Sequence, residues 1–281
     1  LAFFNRARVV VRGGGDLGSG AIYRLHRAGF PVVVTELAAP VFVRRAVSYG
    51  EAVYSGEVAI EGVTARFAPD VDTARRLLDE GIVPVLVDES GDVWRALEPV
   101  IVVDARMQKV NPDTRIDDAP FVVALGPGYT AGVDCHAVIE TNRGHWLGRV
   151  ILDGSAEADT GEPGPVKGQT HSRVLRAPVA GHVAAHAAIG DRVETGQLIA
   201  TIGEARIVAP FPGVLRGLIH ERVWVDAGMK IGDLDPRARR EHCFTISDKS
   251  LAVGGGVLEA VFAAPQVRPY LAELHEAKRG L

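Results

Sequence analysis

Cys135 stands between Asp134 and His136, and Glu140, Arg143, His145 and Arg149 follow within the next 14 residues. A thiol beside an imidazole is the pairing that yields a thiolate, the form that attacks electrophiles, carries sulfur or selenium, or binds metal. Cys243 is preceded by His242, so both thiols of the chain neighbour a histidine. Adjacency alone does not make an ion pair, because neighbours on a strand point to opposite faces. The plain alternative at each place is a buried structural thiol. Cys135 and His136 are the catalytic candidates. No CxxC or HExxH spacing occurs, so no metal ligands are assigned.

A second group of residues suits binding. Gly13, Gly15 and Gly18 fit G-x-G-x-x-G directly after the apolar run 8–11 and before a helical segment. The first glycine makes a tight turn, the second lets the backbone approach a pyrophosphate, and the third lets helix and strand pack closely. Glu36 closes the next apolar run, where a carboxylate can hold a ribose hydroxyl. Asp16 lies inside the loop and opposes a diphosphate unless it turns away or caps the helix. Asp104, Arg106 and Lys109 follow the run 100–103, and Gly126 and Gly128 follow the run 121–125. Parallel strands would bring all these loops to one edge, with Arg106 and Lys109 neutralising a phosphate. The bland readings are a glycine turn needed only for packing and a surface salt bridge from Asp104 to Arg106.

The elements that must position them alternate. Strand signals at 8–11, 32–35, 82–87, 100–103 and 121–125 are interleaved with helical spacing at 21–26 and 72–80, the latter with Asp70 or Asp72 as cap. A hairpin is expected over 58–67 around Glu61-Gly62. This pattern predicts an α/β fold with a Rossmann-like, mainly parallel sheet over 1–153. Residues 154–172 read as a linker. Beyond it the segment Ala177-Pro178-Val179-Ala180-Gly181 returns as Ala209-Pro210-Phe211-Pro212-Gly213, and Val193-Glu194-Thr195-Gly196 as Val225-Asp226-Ala227-Gly228, both offset by 32. Such an internal repeat over 173–237 predicts a barrel-sandwich, biotinyl/lipoyl-like β-domain. The junction of the two copies, 201–206, contains no Lys, so no covalent biotin or lipoate is expected. Residues 238–281 complete the chain as a helical C-terminal segment, with Gly254-Gly255-Gly256 in an apolar stretch and an amphipathic helix over 267–278.

Bulk properties narrow the function. Thirty-one basic against 35 acidic residues give a net charge of -4, and the five lysines stand far apart, so neither nucleic acid nor an anionic membrane is an expected partner. No uncharged apolar run approaches the ~18 residues of a membrane span. Two cysteines are too few for a disulfide scaffold, and the opening residues lack the apolar core of a signal peptide, so a cytoplasmic protein is expected.

Long blocks of the chain resemble the selenium-dependent molybdenum hydroxylase system protein family, YqeB type. They are VVVRGGGDLGSGAIYRLHRAGFPVVVTEL (9–37), VDARM (103–107), GPGYTAGVDCHAVIETNRGH (126–145), RVLRAP (173–178) and TISDKSLAVGGGVLEA (245–260). The resemblance implies an accessory role in maturing molybdenum hydroxylases that carry labile selenium, with the hydroxylase as partner. It also implies kinship of the glycine-rich domain with xanthine dehydrogenase accessory proteins. The expected ligand is then nucleotide-like, a molybdopterin-type cofactor or a dinucleotide, with Cys135 relaying selenium or sulfur beside His136. Two other readings stay open: an NAD(P)-dependent oxidoreductase, and a non-catalytic scaffold docking the hydroxylase through the β-domain.

Overall fold

Valine-rich runs form the strands of one large sheet in a computed structural model that describes residues 2–159 and 172–271. The chain divides into two compact units, one built from 2–38, 49–159 and 247–271, the other from 39–48 and 172–246.

The first unit contains β1 (Val9–Arg12), α1 (Asp16–Arg27), β2 (Val32–Glu36), α2 (Ala52–Ser55), β3 (Glu57–Ile60), β4 (Val63–Phe67), α3 (Val71–Asp79) and β5 (Val83–Val87). It continues with β6 (Ile101–Asp104), β7 (Phe121–Leu125), β8 (Thr130–Ala131), β9 (Ala137–Ile139), β10 (Val150–Ile151) and β11 (Gly154–Ser155), and closes with α4 (Asp248–Ala263) and α5 (Arg268–Leu271). Nine strands pair in the order β10-β9-β7-β6-β1-β2-β5-β4-β3. All neighbours run parallel except the two outermost pairs, β3–β4 and β9–β10. This is a Rossmann-like mixed sheet, and β3–β4 is the hairpin expected around Glu61-Gly62.

Continuous apolar strands need cover on both faces. One face packs Val10, Val33, Val102 and Val122 with Leu77, Leu86, Trp94 and Leu97 in a single core. Helix α3 lies there, its first turn capped by Asp70, whose side chain accepts the Thr73 N–H. Helices α1 and α4 pack against each other. A Cβ at Gly20 would collide with the Ser250 carbonyl, and one at Gly254 with the Gly20 carbonyl. Within the glycine triplet 254–256, a poor helix former by propensity, Gly254 thus sits where the two helix backbones touch, and Gly256 is held against the Gly148 carbonyl. Tertiary packing overrides the local preference.

Two expectations need adjustment. Gly154–Ser155, at the start of the expected linker, pairs as a strand with Thr130–Ala131; residues 160–171 lie outside the described residues. Of the helix expected over 267–278, α5 covers 268–271 and the remainder lies outside the described residues.

The second unit has two single-turn 3-10 helices, Arg45–Val47 and Arg240–Cys243, and otherwise short antiparallel strands: β12 (Val174–Arg176), β13 (Gly181–His182), β14 (Ala184–Ala185), β15 (Arg192–Val193), β16 (Leu198–Ile202), β17 (Ala205–Val208), β18 (Gly213–Leu218), β19 (Trp224–Val225) and β20 (Lys230–Asp235). They form sheets β12-β20-β18-β15, β13-β19 and β14-β16-β17. Gly181 pairs with Val225, and Val193 with Gly213. Adding the repeat offset of 32 to Gly181 and subtracting it from Val225 turns the first pair into the second. The two copies therefore exchange strands across a pseudo-twofold relation, each completing sheets of the other.

Candidate functional site

Arg12 lies opposite both Thr35 and Asp104, and Asp104 lies opposite Ala124. With these strands parallel, Gly13, Gly15, Glu36, Asp104, Arg106, Gly126 and Gly128 all gather at the edge where β1, β2, β6 and β7 end. The chain leaves β1 for β2 on one side and later places β6 on the other, so the strand order reverses at β1. The crevice outside such a reversal is where open α/β sheets hold ligands.

The glycine turn fits this edge tightly. Gly13 has a φ of +100°, and a Cβ there would lie 3.0 Å from the Ala105 backbone, so only glycine suits both the conformation and the approach. Gly15 precedes α1 in an extended conformation and supplies no side-chain cap, leaving first-turn N–H groups without an intrahelical partner. The Gly14 N–H donates to Glu36 Oε1 at 2.6 Å, and the Leu37 N–H donates to Oε2 at 3.2 Å. Burial pushes the Glu36 carboxyl up to about 7 despite those two donors. Asp16 turns aside, its Oδ1 accepting from the Ser250 hydroxyl at 2.8 Å. That contact removes the objection its position raised in the sequence.

Across β1 stands a charge cluster. Asp104 is fully buried. It accepts the Arg106 backbone N–H and Nε at 3.1 Å and Nη2 at 2.6 Å, together with the Thr114 hydroxyl. Burial opposes its charge, yet these bonds hold the Asp104 carboxyl below its ordinary range. Asp113 bridges the two guanidiniums, accepting from Arg12 at 2.9 Å and Arg106 at 2.6 Å. Arg12 also lies over the Trp94 ring, 5.6 Å from its centroid. Lys109 pairs with Asp159. The two cations that sequence spacing aimed at a phosphate are thus engaged with protein carboxylates, and the Asp104–Arg106 pairing is intramolecular architecture. Gly128 is held against the Lys109 backbone and Gly126 against Thr141, forming one wall of the edge.

Cys135 and His136 are not part of that edge. The His136 backbone donates to Val122, and its Nδ1 accepts the Val122 N–H at 3.0 Å, near the start of β7 rather than its Gly126 end. Its ring lies on Phe121. Cys135 points into the apolar core, fully buried with Val122, Ala124 and Val138. Burial first, then the Asp134 charge, push its thiol up to about 12, the reverse of activation. Among the described residues nothing joins the thiol to the imidazole: the thiol lies in the core, whereas the ring lies on Phe121 and accepts the Val122 N–H. The catalytic assignment of this pair is corrected on that ground. Cys243 is buried too, its Sγ 3.7 Å from the Leu215 carbonyl. Among the described residues no three His, Cys, Asp or Glu side chains gather at metal-binding spacing.

Other residues reach the edge without a sequence signal. Arg12 reads as a strand residue and Thr114 as a loop residue; only the fold brings them to Asp104. Glu140 is buried and accepts the Asn142 N–H at 2.6 Å and the Glu157 N–H at 2.7 Å. Lys249 lies in the first turn of α4, whose N-cap serine, Ser247, accepts the Ser250 N–H.

The chain is 49% identical over 253 residues to the uncharacterized protein YqeB of Escherichia coli (strain K12), which covers 90% of this chain and 47% of that protein. It therefore spans about half the length of the curated relative it matches, and the similarity supports a YqeB-type family. No family model matches. Among solved structures, the chain is similar to an aspartoacylase family protein from Mesorhizobium loti (13% identity, 82% of this chain and 84% of that one, TM-score 0.26). It is also similar to a succinylglutamate desuccinylase/aspartoacylase from Rhodobacter sphaeroides (14%, 82% and 85%, TM-score 0.25). Superposition at those scores carries no argument about function. No helix among the described residues is long and apolar enough to cross a membrane.

Proposed function

We propose that this chain binds a phosphate-bearing, nucleotide-like ligand at the edge where the strand order reverses, as an accessory factor in the maturation of selenium-dependent molybdenum hydroxylases. The observation that carries the ligand reading is the reversal at β1, with the glycine turn leading into the open N-terminus of α1. Glu36 stands at the end of β2, where it accepts a backbone N–H now and can accept a ribose hydroxyl from a bound nucleotide. The maturation role comes from the YqeB-type resemblance and makes a molybdopterin-type compound the natural ligand class, since such cofactors carry phosphate and often a nucleotide. Cys135 has no part in this proposal as a relay, since its thiol is buried and stays protonated. The second unit we read as a barrel-sandwich that docks the hydroxylase. The strand exchange between its two copies supports that architecture, and the lysine-free turn of the β16–β17 hairpin fits a domain without a covalent arm.

Calorimetric titration of the full chain with CDP, ADP, GDP and NADH tests the ligand reading. Binding of at least one nucleoside diphosphate at micromolar concentration is expected, weakened in a Gly15→Ala variant, whose φ of -70° alanine adopts without strain. Failure of all three diphosphates at millimolar concentration sinks the reading. Binding of NADH alone favours the oxidoreductase instead.

A further inference from the structure

The indole N–H of Trp94 is a donor without an acceptor. The side chain is 1% exposed, and among the described residues its Nε1 makes no hydrogen bond. Burying an unpaired donor is costly, so such a group points to something that completes it. Its nearest polar neighbours are donors as well. Gly91 has a φ of +78°, and the position its absent Cβ would take lies 3.4 Å from Arg12 Nη2, 3.5 Å from Trp94 Nε1 and 3.6 Å from Arg95 Nη1. N–H donors from three side chains thus surround the bare face of one glycine. Both guanidiniums also lie over the Trp94 ring, Arg12 at 5.6 Å and Arg95 at 4.5 Å from its centroid. Arg12 ends β1, and Gly91 follows β5, which runs parallel to β2, so this group stands at the same strand-end edge.

Arg12 is held there by a partner that can leave. Its side chain is 5% exposed, and its ion pair is with Asp113, whose side chain is 47% exposed. Asp113 belongs to the stretch 105–120 between β6 and β7, which contains no helix or strand. The next residue, Thr114, is buried and donates to Asp104, so the backbone is anchored and only the Asp113 side chain has to swing outward. Its carboxylate would regain water, whereas the buried Arg12 guanidinium would keep one hydroxyl partner, Thr114 at 3.2 Å. The other carboxylates near the group are committed. Asp104 holds Arg106, Asp118 accepts from Arg95 and the Arg115 N–H, and Asp88 accepts the Gly91 and Trp94 N–H groups. An anion that enters as Asp113 leaves exchanges one negative charge for another, so these carboxylates oppose it no more than they oppose Asp113. We infer that Arg12, Trp94 and Arg95 form a binding site for a small-molecule carboxylate, which replaces Asp113 on Arg12 and accepts the Trp94 N–H. Asp113 is then a resident competitor, a carboxylate standing where the ligand's carboxylate binds. The inference stands apart from the nucleotide reading and falls on different donors from the glycine turn.

Proton–nitrogen spectra of the indole N–H groups decide it. Trp146 and Trp224 are exposed, so Trp146→Phe and Trp224→Phe identify the Trp94 signal by elimination. Acetate and succinate, titrated into the full chain, should move that signal saturably, while chloride at the same ionic strength leaves it in place. Asp113→Ala should tighten the response about tenfold or more, because a ligand's apparent affinity rises when the competent state no longer has to be freed. A merely structural Asp113 predicts no gain, and its exposed side chain makes the variant safe for folding. A Trp94 signal that ignores both carboxylates in wild type and in Asp113→Ala overturns the inference, as does equal affinity in the two proteins. A response to inorganic phosphate but to neither carboxylate overturns the assignment of the ligand class.

Discussion

Two carboxylates flank the end of β1, and their environments differ in one respect. Glu36 ends β2 on one side, half-buried, and Asp104 ends β6 on the other, fully buried. Glu36 has only backbone N–H donors, from Gly14 and Leu37, and burial raises it to about 7. Asp104 has Arg106 and the Thr114 hydroxyl, and its carboxyl is held below the ordinary range although burial opposes it. Burial sets the penalty for each; the presence of a guanidinium decides which sign wins. One side of the crevice is therefore a fixed ionic scaffold, and the other a group that changes charge near neutrality. The second is the side whose carboxylate is bonded to the glycine turn, through the Gly14 N–H.

The largest test breaks the scaffold. Asp104→Ala leaves Arg106 and Arg12 buried beside Asp113 alone, and losing one partner of a buried pair typically costs about 3–5 kcal/mol. Urea denaturation at neutral pH should show a loss of that size. A loss under about 1 kcal/mol would mean that the cluster relaxes into solvent and that Asp104 is no scaffold.

The second test concerns the sign of the pH dependence. For Glu36 the folded pKa, about 7, lies above the ordinary 4.5. The native state then binds the extra proton between those values, so its contribution to stability is complete below about 4.5 and is lost as pH rises through about 7. Converted directly, the shift is worth roughly 3 kcal/mol, and less in practice because the carboxylate is only partly enclosed. Asp104 behaves oppositely: its stabilisation holds at neutral pH and fades only in acid, as the pH falls through a pKa below the ordinary carboxylate range. Denaturation of wild type and Glu36→Gln at about pH 5 and about pH 8 isolates the term, since every other carboxylate is shared. Wild type should lose more stability than the variant between those conditions. Parallel slopes would show that Glu36 is ionised in the folded protein.

The sequence shows the edge more clearly than it shows the chemistry. Apolar runs announce every parallel strand from β1 to β7 except β4, which the hairpin signal supplies, and the glycine turn and Glu36 are read in place. What spacing does not convey is partnership. Arg106 and Lys109 look available in a linear chain because Thr114, Asp113 and Asp159 carry no signal that they will close on them. Cys135 and His136 look paired because they are adjacent, yet the thiol enters the core while the imidazole lies on Phe121. Gly254 gives no local reason for its presence in an apolar helical stretch, since the helix it touches, α1, lies more than 200 residues earlier. Local pattern specifies elements, whereas the sharing of charges is settled by contacts distant in sequence.

The smallest test sharpens the comparison within the scaffold itself. Asp113 accepts from the same two arginines as the cluster's core, yet its side chain is 47% exposed while that of Asp104 is fully enclosed. The donors from Arg12 and Arg106 bring the Asp113 carboxyl down to about 2, although its partial burial works the other way. If paired charge alone measured stability, removing either aspartate would have a similar effect. Solvent screening argues otherwise, because an exposed carboxylate regains most of its hydration when its partner is lost, and such pairs are worth about 1 kcal/mol or less. Asp113→Asn should therefore cost under about 1 kcal/mol at neutral pH. The deficit relative to wild type should vanish as the pH falls toward about 2, where the native carboxylate takes up its proton. A loss at neutral pH as large as that of Asp104→Ala would make the charge balance of the two guanidiniums, rather than the enclosure of Asp104, the property that holds this side of the crevice rigid.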